Sequence, residues 1–354
     1  MTENSLHYVV SVLKGENPKT VTDWYETTGF LCCHKIAGLF YNRAKKSRIE
    51  LPSKIEKFLS ETFERQIRRT QSMRAAIGEI SRALAADGAE HILLKGSVLC
   101  NVAEEESAIY EDGERISNDI DILVEQDGIT AVENSLKKLG FIQGRYAPGE
   151  KKIKPFPRLE ILKRRMNRGE TAPFLKTTGN PELPFIEADI NFSLGNVPGE
   201  RDSLLSEMIA TRKEYAGKVP MYVANEEMFF LHLILHQYKE SCLYFMAERR
   251  KDLDLYKLAD IYYLWKKDTF DKGDLKKLAF KYGVQKEIGT VLGQTGRIFE
   301  DEELKSAAEE YGERQPEVID YEGKKRLLWT ADERTRICSL DPLRFLKERK
   351  EDDH

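Results

Sequence analysis

The chain has 354 residues, and 60 acidic side chains against 56 basic ones give a formal net charge of −4. Such a near-neutral balance argues against a protein coated in nucleic acid, although it is compatible with a local basic patch. Hydrophobic residues make up 41% of the chain, which suffices for a buried core and excludes wholesale disorder. At about 150 residues per domain, the length favours about two domains.

The sequence has no feature of a membrane or secreted protein. No apolar run approaches the ~18 residues that a spanning helix needs, and the best candidate, Met228–Leu235, is interrupted by His232. The first residues include Glu3 and no basic cluster, so they do not resemble a signal peptide. The five cysteines are an odd number without CxxC spacing, which predicts reduced thiols, no disulfides and a cytoplasmic location.

The first part of the chain, residues 1–88, is predicted to be a helical segment. Within Glu61–Ala86, apolar residues recur at near-helical spacing, at Ile67, Ile77, Ile80 and Leu84. Gly88 ends this stretch, because glycine tolerates the left-handed conformation found beyond helix ends.

Between residues 89 and 200 the pattern changes to short strands and helices. Ile92-Leu93-Leu94 is a strand candidate, Asp119–Val124 is a second one, and Phe185–Phe192 is a later one, with an amphipathic helix between the last two. This order predicts an α+β fold, in which a small mixed β-sheet core is flanked by N- and C-terminal helical segments.

A basic segment interrupts the predicted core near residues 145–180. From Arg145 to Lys176 the sequence has ten basic and three acidic residues, which predicts an insertion or loops around one short basic helix. Residues 201–354 return to a helical pattern, clearest at 226–238 and 253–265, and form the predicted C-terminal helical domain.

The candidate site is built on Asp119 and Asp121, two residues apart on a predicted strand. Side chains two apart point to the same face of a strand, so these carboxylates repel one another unless a cation neutralises them. Mg²⁺ prefers carboxylate oxygens and usually shares its coordination shell with substrate phosphates. Asp189 on the later strand is the candidate third ligand, and Glu187 on the same face is the second choice.

A candidate phosphate-binding turn follows the first strand of the core. Gly96 lets backbone amides approach a phosphate, and the hydroxyl of Ser97 can donate a hydrogen bond to it. Lys95 and Arg115 add positive charge nearby in the sequence. Each motif alone also fits an ordinary turn or a pair of solvated carboxylates, but together they are the equipment of phosphoryl or nucleotidyl transfer.

These motifs resemble those of a known family. Ile92–Ser97 (ILLKGS), Arg115 followed by the run Asp119–Val124 (DIDILV), and Leu139-Gly140-Phe141 are similar to the bacterial family described as uncharacterised nucleotidyltransferases. That family belongs to the DNA polymerase β-like nucleotidyltransferase superfamily. The resemblance covers roughly residues 20–300.

The resemblance implies an enzyme that binds an NTP together with two Mg²⁺ ions. Gly96 and Ser97 match the phosphate loop of the superfamily. Asp119 and Asp121 match the carboxylates that hold both ions, and Asp189 matches an acidic residue that holds one of them and helps to deprotonate the acceptor.

The chain departs from the superfamily pattern at two places. The acidic residue of the later strand is usually followed by His and then Trp, where this chain has Asn191 and Phe192. The gap between Ser97 and Asp119 is also longer than in the compact motif.

A second pair of candidate nucleotide-binding residues lies on a later helix. Lys257 and Asp260 are about one turn apart, and the resemblance to related transferases and toxins implies that such a pair lines the nucleotide site. Lys251-Asp252 could take the same role, and an ordinary surface ion pair is the alternative.

Two histidines on another helix are weaker candidates. His232 and His236 are four residues apart on one helix face. A zinc site needs three or four ligands, and no third ligand has a convincing spacing. The two side chains are therefore predicted to pack or to form hydrogen bonds.

The leading hypothesis is a Mg²⁺-dependent transferase that moves a nucleoside monophosphate from an NTP to a small molecule, a tRNA end or a protein side chain. The basic stretch Lys151–Lys176 either holds an RNA acceptor or the triphosphate tail, or is a solvated loop. A non-catalytic nucleotide-binding sensor or scaffold, and a hydrolase or phosphotransferase on the same metal site, stay open as alternatives.

Overall fold

The computed structural model describes residues 1–18, 23–102, 108–320 and 323–349. The chain forms two compact units. The sheet unit is Glu64–Phe229, and the helical unit combines Met1–Phe63 with Phe230–His354. The division into segments 1–88, 89–200 and 201–354 stays a prediction.

The described chain begins with four helices: α1 (Glu3–Lys14), α2 (Trp24–Cys33), α3 (Ala37–Lys46) and α4 (Ser53–Ala86). The middle of the chain carries most of the strands: β1 (Ile92–Leu93), α5 (Gly96–Leu99), β2 (Ile120–Leu123), α6 (Ile129–Lys138), β3 (Ile142–Ala147), β4 (Lys152–Pro155), α7 (Arg158–Asn167), β5 (Phe174–Asn180), β6 (Leu183–Asn191), α8 (Asp202–Ala210), β7 (Lys213–Ala216) and β8 (Pro220–Val223).

The rest of the described chain is mainly helical: α9 (Glu226–Ser241), α10 (Tyr244–Glu248), α11 (Leu255–Lys267), α12 (Lys272–Tyr282), α13 (Gln285–Phe299), α14 (Glu302–Glu310), β9 (Val318–Ile319), β10 (Arg326–Trp329), α15 (Glu333–Cys338) and β11 (Leu346–Glu348). Short 3₁₀ turns occur at Pro148–Glu150 and Pro342–Phe345.

The central sheet is mixed. Its strand order is β1-β2-β6-β5-β3-β4, in which β2 and β6 are parallel and the other neighbours are antiparallel. Because helices lie at both ends of the chain, this architecture is the predicted α+β fold with a mixed sheet core. Two small antiparallel sheets, β7-β8 and β11-β10-β9, complete the described strands.

The C-terminal half of α4 supplies the helical side of the sheet unit's core. Met73, Ile77, Ile80 and Leu84 are spaced by four, three and four residues, which places them on one helix face. They are buried in one cluster with Ile122 of β2 and other apolar side chains of the sheet. The apolar periodicity seen in the sequence therefore corresponds to a buried face of a helix.

The basic segment contains more regular structure than its composition predicts. The predicted short helix is present as α7, but the expected loops around it are wrong, because β4 pairs with β3 as a hairpin and β5 lies inside the sheet. Gly144 is required at this hairpin, since a Cβ there would overlap the carbonyl of Lys154. Lys152 and Lys154 lie on the edge strand β4, where lysine is common, and four further basic residues lie on α7.

The helical unit has its own aromatic core. The rings of Tyr262 on α11 and Phe299 on α13 stack with centroids 4.3 Å apart, and Phe230 stacks on Phe270 at 4.4 Å. The five cysteines are free thiols in the structure. Among the described residues, no helix combines the length and apolar character needed to cross a membrane.

Candidate metal and nucleotide site

Parallel pairing of β2 and β6 brings the predicted carboxylates together. Asp121 of β2 lies directly opposite Asp189 of β6, and Asp119 comes just before β2. One carboxylate oxygen of each of the three side chains lies within 4.8 Å of the other two. Three convergent carboxylate oxygens are a donor set for a hard divalent cation such as Mg²⁺.

The alternation of side chains along the two strands explains why the carboxylates share one face. Ile120 is paired with Ala188, and Ile122 with Ile190, and all four are buried in the apolar core of the sheet unit. Residues at the intervening positions must then point to the opposite face. The core thus fixes both Asp121 and Asp189 on the other side of the sheet.

This face of the sheet carries an excess of negative charge. Burial, followed by repulsion from Asp121 and Asp119, raises the pKa of Asp189 well above its usual range. Burial also raises the pKa of Glu187, and the same two carboxylates raise it further. A bound cation would remove this repulsion, so the chemistry of the donor set fits a metal ion.

Lys95 is the nearest counter-charge that the structure shows for the three aspartates. Its Nζ donates to Oδ1 of Asp121 at 2.8 Å, and Nδ2 of Asn191 donates to the same oxygen at 3.3 Å. The pKa of Asp121 is nevertheless raised, because burial outweighs the opposing effect of Lys95. Lys95 has a φ of +50°, a conformation that costs energy in a residue with a Cβ.

The turn that follows Lys95 packs against the residues leading into β2. A Cβ on Gly96 would lie 2.5 Å from Oγ of Ser117, and that Oγ donates to the carbonyl of Asp119 at 2.7 Å. Glycine at this position therefore lets the turn approach the first carboxylate residue of the site.

The hydroxyl of Ser97 is a buried polar group of this turn. Ser97 is only 1% exposed, and its Oγ has no hydrogen-bond partner among the described residues. The backbone amides of Ser97 and Val98 already donate to the carbonyls of Leu94 and Lys95. A phosphate at this turn would therefore meet the hydroxyl of Ser97 rather than these two amides.

Arg115 is buried near the same turn. Its guanidinium donates to the carbonyl of Ile116, and its own carbonyl accepts a hydrogen bond from Sγ of Cys100, one residue beyond α5. The predicted polar loop from Glu104 to Asn118 lies partly outside the described residues, which resume at position 108.

The second predicted pair belongs to the helical unit. Lys257 forms a partly buried ion pair with Glu240 and lies 3.5 Å from a carboxylate oxygen of Asp254. Asp260 is buried on α11. Of the alternative pair, Lys251 is exposed and Asp252 forms a buried ion pair with Arg336. Their roles in nucleotide binding stay predictions.

The two histidines of α9, His232 and His236, agree with the prediction that they pack or form hydrogen bonds and do not bind zinc. Their rings are 6.3 Å apart, and Nε2 of His236 lies 3.4 Å from a carboxylate oxygen of Glu240. In the described parts of the chain, Asp119, Asp121 and Asp189 form the candidate metal group of three side chains, and neither histidine is part of it.

Glu170 is a further acidic residue of this region that the sequence did not single out. It pairs with Asn191 in an isolated antiparallel β-bridge, and its charge raises the pKa of Asp189 and of Glu187. No local pattern marks Glu170, because its position depends on how the chain returns to β6 after α7.

The fold and the carboxylate cluster agree with a comparison against known families. The model of the family described as "Uncharacterised nucleotidyltransferase" matches residues 20–300. The match spans most of the chain, and the chain belongs to this nucleotidyltransferase family. No curated protein and no solved structure gives a significant match.

Proposed function

We propose that the protein is a Mg²⁺-dependent nucleotidyltransferase, which moves a nucleoside monophosphate from an NTP to an acceptor and releases pyrophosphate. The observation that carries the proposal is the convergence of three carboxylates, Asp119, Asp121 and Asp189, on one face of the sheet. The family of the chain supports the same reaction class.

The three aspartates would hold the metal, with Asp119 and Asp121 contacting both ions and Asp189 one of them. Bound Mg²⁺ would supply positive charge to the triphosphate and to the attacking oxygen. The hydroxyl of Ser97, in the turn that begins at Gly96, would donate to a phosphate oxygen.

Several cations are proposed to assist nucleotide binding. Lys95 carries positive charge at the carboxylate cluster itself, where its ammonium contacts Asp121. Arg115 is buried near the glycine turn. Lys257 and Asp260 on α11 are proposed, by resemblance, to line the nucleotide site.

The proposed reaction balances as a single displacement. The acceptor oxygen forms a bond to the α-phosphorus, while the bond from that phosphorus to the oxygen bridging to the β-phosphorus breaks. Pyrophosphate leaves with the electron pair of the broken bond. The proton of the acceptor passes to a carboxylate oxygen of Asp189, the residue to which the family resemblance assigns this role.

The alternative is a non-catalytic nucleotide-binding module on the same fold. Two observations favour it: Lys95 already neutralises part of the Asp121 charge, and Asn191 stands where the superfamily has a histidine. The presence of all three carboxylates favours catalysis, since loss of at least one is expected in a decayed site.

The deciding experiment uses NTPs labelled at the α-phosphate, with Mg²⁺ and a cell extract afterwards separated into RNA, protein and metabolites. Wild type is compared with Asp119→Ala/Asp121→Ala, and Asp127→Ala serves as the control because Asp127 is an exposed acid outside the carboxylate cluster.

Label that enters one fraction with wild type and with the control, but not with the double variant, supports nucleotidyl transfer. Release of labelled monophosphate without transfer points to a hydrolase. Mg²⁺-dependent NTP binding without any turnover supports the binding module, and neither binding nor transfer would refute the site assignment.

A further inference from the structure

Helix α7 presents its apolar side to solvent. Leu159, Leu162 and Met166 are 63%, 45% and 76% exposed. Their spacing of three and four residues places them on one side of the helix, and no residue of α7 is buried. Three large apolar side chains aligned on an outer helix face are typical of a surface that binds a partner.

Cations border this apolar stripe. Arg158, Lys163 and Arg165 lie on the same helix, and no ion pair joins them to a carboxylate among the described residues. Five of the other seven cations of the basic segment are neutralised: Lys152 and Lys154 by Glu150, Arg164 by Glu160, Arg168 by Glu170 and Lys176 by Glu79. The free positive charge of the helix is therefore concentrated beside the apolar stripe.

The segment that follows α7 is hydrogen-bonded to the strand of the candidate site. Just beyond α7, the amide of Thr171 donates to the carbonyl of Ile190 at 2.9 Å, and the amide of Phe192 donates to the carbonyl of Gly169 at 2.8 Å. These bonds tie the end of α7 to the strand that carries Asp189.

The aromatic rings of the basic segment are already engaged within the protein. Phe174 is fully buried, the ring of Tyr146 stacks on Phe185, and the guanidinium of Arg164 lies 4.7 Å from the ring centroid of Phe156. Single-stranded nucleic acid is usually bound by cations together with exposed aromatic rings, whereas exposed Leu and Met side chains suit the apolar side chains of a polypeptide.

We propose that the outer face of α7 docks the acceptor, and that the acceptor is a polypeptide segment with acidic and apolar side chains and a hydroxyl-bearing residue. The inference rests on the proposed function. The hydroxyl oxygen of the docked segment forms the new bond to the α-phosphorus, pyrophosphate leaves, and the hydroxyl proton passes to Asp189.

The test measures docking and transfer separately, with the full chain. The probe is a fluorescent random copolymer of Glu and Tyr, and the comparison probes are a Lys–Tyr copolymer, total tRNA and vesicles containing phosphatidylserine. The stripe variant is Leu159→Ser/Leu162→Ser/Met166→Ser, and a charge variant is Arg158→Gln/Lys163→Gln/Arg165→Gln. Phe280→Ser/Leu340→Ser is the matched control, because these apolar residues are 63% and 87% exposed elsewhere in the chain.

We expect wild type and the matched control to bind the Glu–Tyr copolymer and to label it from α-labelled NTP. The stripe variant should bind the copolymer at least tenfold more weakly than wild type does. The charge variant should also bind the copolymer more weakly, and its binding should depend less on salt. NTP binding should be unchanged in both variants. Circular dichroism and thermal unfolding establish that the exposed substitutions leave the fold intact.

Equal copolymer binding by wild type and the stripe variant would overturn the inference. The inference would also be overturned if the stripe substitutions weakened binding of tRNA or of vesicles more than they weakened binding of the copolymer. Transfer to RNA or metabolites at equal rates in the wild type and the stripe variant would overturn it while leaving the proposed function in place. Stripe-dependent copolymer binding with no transfer to any acceptor would instead refute the proposed function and the acceptor role, while supporting the docking surface.

Discussion

Replacing Gly96 by alanine should destabilise the protein through one defined contact. The added Cβ would lie 2.5 Å from Oγ and 2.8 Å from Cβ of Ser117, while the next contact, with Cα of Ser117, is an acceptable 3.4 Å. Overpacking of this kind costs about 1–3 kcal/mol. In a unit of this size each kcal/mol lowers the Tm by about 2–4 °C.

The partner substitution makes the prediction specific. Ser117→Gly removes both atoms that the new Cβ would meet, but it also removes the hydrogen bond to the carbonyl of Asp119, at a cost of about 1 kcal/mol. Gly96→Ala/Ser117→Gly should therefore be more stable than the sum of the single effects by at least about 1 kcal/mol.

Urea unfolding of the four proteins, followed by circular dichroism, measures this coupling free energy. Mg²⁺-dependent NTP binding should fall in Gly96→Ala and recover partly in the double variant, because Ser117 links the turn to Asp119. Strictly additive free energies, or a Gly96→Ala protein as stable as wild type, would refute the packing argument.

Two further predictions concern titratable groups. Burial and then Arg250 lower the pKa of His34 to about 4, below its usual 6.5, so the unfolded state binds more protons between these values. The free energy of unfolding should fall by about 3 kcal/mol from pH 7 to pH 4 through this group. His34→Asn, which keeps an acceptor for the amide of Leu255, should lose that part of the pH dependence in urea titrations; an unchanged profile would contradict the assignment. In Asp189→Asn, loss of carboxylate repulsion should raise the Tm of the metal-free protein at pH 7–8 and abolish the Mg²⁺-induced rise that we expect for wild type. Because the pKa of Asp189 is raised in the folded state, ionisation of Asp189 destabilises the wild-type protein as the pH rises. The Tm gain of Asp189→Asn should therefore shrink at acid pH. A Tm gain that is independent of pH would contradict this cause.

The sequence was informative where the structure depends on local periodicity. The two-residue spacing of Asp119 and Asp121 placed both carboxylates on one strand face, because alternation is a property of any strand. The apolar repeat of the segment 61–86 likewise identified the buried face of α4. The match of Asp121 with Asp189 required the parallel pairing of strands that lie far apart in the chain. The residues alone therefore gave Asp189 as the first candidate and Glu187 as the second, and the family resemblance also pointed to Asp189.

Features that depend on long-range packing were not predictable in the same way. Strands β4 and β5 were expected as loops, because Lys152 and Lys154 on an edge strand resemble a solvated basic segment. The contact of Lys95 with Asp121 depends on how the turn after β1 meets β2, and the approach of Glu170 to Asn191 depends on how the chain meets β6. Lys257 is paired with Glu240 rather than only with a neighbour on its own helix.

The ion pair between Lys95 and Asp121 has a consequence for the order of events at the site. The ammonium group occupies an oxygen that an arriving divalent ion also needs, so the two cations compete for the same ligand atom. A metal ion bound through the same oxygen would displace the lysine, and the freed ammonium would then be available to an anion such as a triphosphate. In the proposed reaction, metal binding would in this way supply the positive charge that receives the nucleotide.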